Sequence, residues 1–223
     1  MRLALFVIPL LLTACARPLT PAEQVFGAQL VGETAASDVR ILSVGPVGAF
    51  TFTYPVRPAT TCRERILPAP EGPTFEATTA GVVLWDHILT NPDWYLDDYL
   101  GRWPEQMNLV AAMFFAHELT HVWQWQNRET TGFFIGRVAA EHNRIEDPYL
   151  FDSDALPRFL DYGFEAQSSL VEEYVCCAAV APRGARTKRL KALLAQAMPL
   201  GDWRPPRDVL LPDTGVDLGG ICD

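Results

Sequence analysis

The stretch FFAHELTHVWQ, residues 114–124, constrains what this chain can fold into more than any other segment. Phe114, Phe115, Ala116, Leu119, Val122 and Trp123 surround two histidines and a glutamate, and no glycine or proline interrupts them. A helix turns about 100° per residue, so His117 and His121 project from one face, one turn apart, with Glu118 beside them. Bulky uncharged residues around the whole circumference mark a buried helix. Burying two imidazoles and a carboxylate is costly unless something pairs with them. Two imidazoles at this spacing can share a zinc ion, and Glu118 then reaches the open position where water would sit. The bland alternative is a core helix with incidental histidines.

Composition narrows the rest. A chain of 223 residues, 49% of them hydrophobic, suits one domain with a sizeable core. A net charge of −9 argues against nucleic acid as the main partner. The densest basic run, RGARTKRLK at 183–191, reads as the solvated face of a helix. At the start, Arg2 and the apolar run LALFVIPLLL have the form of a signal peptide and are too short to span a membrane. LTAC, residues 12–15, resembles a bacterial lipobox. That resemblance implies a signal peptide over 1–14 and a lipid on Cys15. Ala16, where an aspartate would favour retention, implies the outer membrane, facing the periplasm. Residues 15–35 are then expected to be an anchor tether, and 36–223 the folded domain.

Four further cysteines, Cys62, Cys176, Cys177 and Cys222, suggest two disulfides in an exported protein. Neighbours pair with each other only through a strained ring. Cys176 and Cys177 should therefore each reach a distant partner, Cys62 or Cys222, in an order the sequence leaves open. One central helix would thus be tied both to the N-terminal region and to the C-terminal tail.

VRILSV at 39–44 and AFTFTY at 49–54 read as a β-hairpin around GPVG. The proline-rich stretch after Pro55 reads as loop, and GVVLWDHIL at 81–89 as one strand. Pro104 and Glu105 are expected to open the motif helix, which runs to about Arg128 and is closed by Gly132. Residues 140–160 read as irregular and acidic. Helices are expected over 161–181 and 186–198, with a loop tail from 199 held by Cys222. The expected fold is helix-rich α+β, with a small N-terminal sheet and the motif helix packed against a later, glutamate-bearing helix.

HELTHVWQWQ resembles the zincin metallopeptidases, and in particular bacterial Vgr-related proteins whose motif reads His-Glu-Leu-Thr-His-Val-x-Gln. The resemblance covers about residues 80–175. It implies zinc held by His117 and His121, water activated by Glu118 for attack on a peptide carbonyl, and a strand along whose edge a peptide lies extended. GVVLWDHIL is the candidate strand. Metzincins continue with a third histidine, whereas this chain reads HVWQWQN, so a gluzincin-like glutamate on a later helix is implied instead. In YGFEAQSSLVEEY, Glu165 is the first choice and Glu172, seven residues on and near the same face, the second. Ser169 stands where such families often have a supporting aspartate. His142, Tyr149 and Tyr162 are candidates to donate a hydrogen bond to an oxyanion, and Cys176 is a possible thiolate ligand. His87, Trp123 and Trp125 read as structural.

Two functions fit these residues, beside the reading of a plain lipoprotein with no metal. One is a zinc-dependent hydrolase, a metallopeptidase with peptide or protein substrates. The other is a non-catalytic envelope lipoprotein that keeps the zinc as a staple, or as part of an envelope or secretion assembly. The intact Glu118 favours the first, because a staple needs only ligands.

Overall fold

The computed structural model describes residues 16–213 and 215–223. The signal segment and Cys15 lie outside them. The expected tether does not remain one after residue 16. β1 (Arg17–Pro18) pairs antiparallel with β2 (Arg40–Ser43), and α1 (Pro21–Val31) opens between them. The reason is local. Thr20 and Glu23 form a capping box, and Phe26 and Leu30, four residues apart, bury one helix face completely. Glu23 is itself fully buried, where it accepts from Arg17 at 2.7 and 2.8 Å and from the Tyr99 amide at 2.9 Å.

A short α2 (Glu33–Ser37) leads into β2. β2 and β3 (Thr51–Pro55) do not form the expected hairpin. GPVGA winds into a 3-10 turn that sends the chain to a second sheet, where β3 pairs antiparallel with β4 (Thr74–Thr78). The split follows burial: β2 carries Ile41 and Leu42 inward, while Thr51, Phe52 and Thr53 of β3 stay exposed. The proline-rich stretch between β3 and β4 holds a one-turn helix, α3 (Cys62–Ile66), started by a Thr61–Glu64 capping box.

The expected strand at 81–89 is a hairpin. β5 (Gly81–Leu84) and β6 (His87–Thr90) are joined by Trp85 and Asp86, with Trp85 at φ 57°. The sheet order is β1-β2-β6-β5, with β2 and β6 parallel, so β5 is an edge.

The motif helix starts later than Pro104 and Glu105. Residues Gln106–Asn108 form β7, and α4 spans Leu109–Gln126 with Asn108 as its side-chain cap. β7 is held extended by parallel pairing with β8 (Asp208–Leu210) from the tail. After α4, a turn of helix, α5 (Arg128–Thr131), closes on Gly132 at φ 70°, as expected of that glycine. The stretch expected to be irregular begins inside a helix, α6 (Ile135–Arg144). α7 (Phe164–Val180) and α8 (Ala185–Leu194) match the last two expected helices within a few residues.

The architecture is α+β with a helix-rich core, and α4 against α7 is its most extensive helix contact. Leu119, Val122, Leu170 and Val171 of these two helices are completely buried in the core, with Leu119 turned toward Gly27 of α1. Trimming either leucine to alanine should cost about 2–5 kcal/mol. Gln126 at the end of α4 donates to Asp86 in the β5–β6 turn at 2.6 Å, which fixes the edge strand beside the motif helix. Two disulfides, Cys62–Cys176 and Cys177–Cys222, tie α3 and the tail to α7.

Candidate metal centre

His117 and His121 face α7 from one turn of α4, their ring centroids 5.1 Å apart. Glu165 meets them from the first turn of α7. One of its oxygens, Oε2, lies 3.3 Å from Nε2 of each histidine. All three residues are buried, and together they form a group able to hold a metal ion.

The other ring nitrogens show what the two Nε2 atoms offer. His117 Nδ1 lies 3.3 Å from Glu172 Oε2, and His121 Nδ1 lies 2.8 Å from Gln124 Oε1. The Gln124 amide nitrogen donates to Phe164 O and to Gln167 Oε1, both at 3.0 Å, so its oxygen is left facing His121. Each Nδ1 therefore has an acceptor for a proton, and in that tautomer each Nε2 would turn its lone pair toward Glu165. Two lone pairs and a carboxylate converging at this range repel unless a cation lies among them. Without a metal, protons fill that role. Burial lowers the basicity of His117, but Glu165 and Glu172 outweigh it and raise its pKa. His121 is raised likewise, mainly by Glu165, against the same effect of burial. Burial alone would raise Glu165, yet the histidines hold it well below the usual carboxylate range. The spacing also suits a metal, since tetrahedral bonds of about 2.0–2.1 Å set ligand atoms roughly 3.3–3.4 Å apart.

α6 supports this corner. Glu141 accepts from the amides of Phe164 and Glu165 at 3.0 and 3.3 Å and so caps α7. His142 Nε2 lies 3.0 Å from the other Glu165 oxygen, with its ring stacked on Phe52.

Glu118 stands apart from this network. It is buried, and among the described residues no donor reaches its carboxylate. Burial pushes its pKa up, with His117 and His121 opposing. Its carboxylate passes so close to the β5 edge that a Cβ on Gly81 would lie 2.5 Å from it. Beyond it opens a cleft of about 320 Å³ that exposes the histidines, Glu118 and Glu165. The β5 edge forms one wall and α6 another. Ile135, Val138 and Ala139 of α6 line the cleft at helical spacing, and no residue of α6 is buried in the core.

The expected site residues thus fall into different places. His117, Glu118, His121, Glu165 and His142 share the cleft, and so does Tyr149, whose ring lies 5.9 Å from that of His117. Tyr162 does not. Its hydroxyl donates to Asp152 O at 2.8 Å and accepts from Leu156 N at 3.1 Å, so it secures a loop. Glu172 reaches the far nitrogen of His117 rather than the shared focus, because it sits two helical turns beyond Glu165. Arg63, at 3.4 Å, and His117 hold Glu172 below its usual range despite burial. Cys176 is committed to its disulfide and cannot be a ligand. Support that Ser169 does not give comes from Glu172 and Gln124. Gln124 had a signal in its place three residues after His121, and Gly81 in opening a β-prone run; nothing in the sequence pointed to Arg63.

No family model matches the chain, no curated protein matches it as a relative, and no solved structure matches it.

Proposed function

We propose that this protein is a zinc-dependent hydrolase, most simply a metallopeptidase of gluzincin type, with His117, His121 and Glu165 as ligands and Glu118 as general base. Two neutral imidazoles and one carboxylate are a donor set that suits zinc. A zinc ion there would supply a Lewis acid that makes water acidic and polarises a carbonyl. Glu118 would take the proton of the attacking water and return it to the departing amine nitrogen as the C–N bond breaks. Tyr149 and His142 face the same cleft and could donate to the carbonyl oxygen as charge builds on it. The open β5 edge suits an extended peptide, which would pair with it as an added strand.

The observation that carries this reading is the Glu118 carboxylate, buried, without a donor and aimed into the cleft beside the ligands. A metal kept only as a staple gives it no task, and two disulfides already staple α7. Glu118→Gln should keep the metal and lose about 10²–10⁴-fold in turnover on a mixed peptide library. Equal turnover in the two proteins would leave the non-catalytic envelope module as the better reading. The lipobox-like LTAC supports anchoring through Cys15 at the cell envelope. No helix among the described residues is long and apolar enough to cross a membrane.

A further inference from the structure

We propose that Arg63 is a positioning residue of the metal centre, acting through Glu172 on the His117 ring, and that the Cys62–Cys176 disulfide holds Arg63 in place. The inference rests on the reading that His117, His121 and Glu165 bind a metal.

Arg63 belongs to α3, a helix of five residues in a segment broken by Pro55, Pro58, Pro68, Pro70 and Pro73. So short a helix does not persist in water by itself. It is secured by the Thr61–Glu64 capping box, by burial of Ile66, and by two contacts to α7. One is the Cys62–Cys176 disulfide, and the other is the Cys62 amide donating to Glu173 Oε2 at 2.7 Å. These contacts set the register between the helices. Cys176 and Glu172 are one turn apart on α7, while Cys62 and Arg63 are adjacent on α3. Pinning Cys62 to Cys176 therefore brings Arg63 over Glu172, with Nη1 at 3.4 and 3.5 Å from its two oxygens. Glu172 Oε2 in turn lies 3.3 Å from His117 Nδ1.

The same segment grips the site at a second point. Arg57 bridges Glu64 and Asp147 at 2.9 and 3.2 Å, and Asp147 lies two residues before Tyr149. The Arg63 side chain is half exposed, so its ion pair adds little to stability. Its effect is geometric. It lies against both Glu172 oxygens, the one that faces His117 included, and so limits how far that carboxylate can rotate.

The test is zinc affinity, measured by competition with a chelating dye on disulfide-intact protein. Arg63→Met and the Cys62→Ser/Cys176→Ser double variant should each bind zinc about tenfold more weakly, the low end for an outer-shell partner. Arg63→Lys should recover most of that loss. The Cys177→Ser/Cys222→Ser double variant should bind like wild type, and metal-free Arg63→Met should melt like wild type. Arg63→Met binding within about twofold of wild type would overturn the inference, because a residue that holds Glu172 against the His117 ring must weaken zinc binding when it is removed. An equal loss in the Cys177→Ser/Cys222→Ser variant would overturn it too, since both staples would then act only through general stability. Should the Cys62→Ser/Cys176→Ser variant not fold, Arg63→Met and its lysine rescue decide alone. Failure of the underlying reading looks different: wild type and His117→Ala would bind zinc alike.

Discussion

Gln124 Oε1 lies 2.8 Å from His121 Nδ1, and the amide nitrogen of the same side chain is held by Phe164 O and Gln167 Oε1. The glutamine is therefore oriented from α7 before it orients the histidine on α4. Gln124→Leu keeps the volume and removes the acceptor. It should weaken zinc binding by about 10–100-fold in a chelator competition. Affinity unchanged in this variant would show that the His121 tautomer is set by something else.

Gly81 and Glu118 form the second pair open to test. A Cβ at position 81 would sit 2.5 Å from the Glu118 carboxylate, so Gly81→Ala must displace that side chain. The three atoms nearest that Cβ all belong to Glu118 and none to a zinc ligand. The variant should keep its metal and lose turnover by a factor approaching that of Glu118→Gln, about 10²–10⁴. Val82→Ala, on the same strand, should lose far less. Comparable losses in both would point to damage to the strand rather than to the base.

Proton release gives a third test. In the metal-free protein the carboxylates around His117 and His121 raise both pKa values, that of His117 to about 10, so near neutral pH the His117 ring carries a proton that a metal must displace. The sign follows. Zinc affinity should rise with pH up to the raised histidine values and level off above them. Calorimetry at pH 7 in buffers of different ionisation enthalpy should report release of protons on binding. Glu172→Gln removes one of the groups that raise His117, so it should release fewer. Uptake of protons, or none exchanged, contradicts the site's electrostatics.

How much of this was legible beforehand depends on the range over which each feature is determined. The His117–His121 spacing is local, so the helix and its shared face could be read directly. The two long helices after it were legible for the same reason. Pairing across the chain was not. Val39 to Tyr54 looked like a hairpin because β-prone runs flank GPVG, yet β2 pairs with β6 and β3 with β4. The motif helix begins at Leu109 rather than at Pro104 because β8, about a hundred residues on, holds Gln106–Asn108 extended. Two helix starts, by contrast, carry a local signal. Thr20–Glu23 and Thr61–Glu64 both have the capping-box spacing, and each starts a helix in a segment read as tether or loop. Glu165 and Glu172 share a helix stripe, and only the placement of α7 against α4 separates their contacts. Arg63 had no local signal, because its place depends on a disulfide to a residue 113 positions away from it.

The central claim is that His117, His121 and Glu165 hold one zinc ion, and elemental analysis of the purified protein with its native disulfides tests it most directly. Wild type should carry one zinc per chain, and His117→Ala and Glu165→Gln should lose it on dialysis. Glu172→Gln should keep zinc, with affinity reduced about 10–100-fold. Zinc retained at the wild-type level in Glu165→Gln, or lost in Glu172→Gln while Glu165→Gln keeps it, would contradict the account.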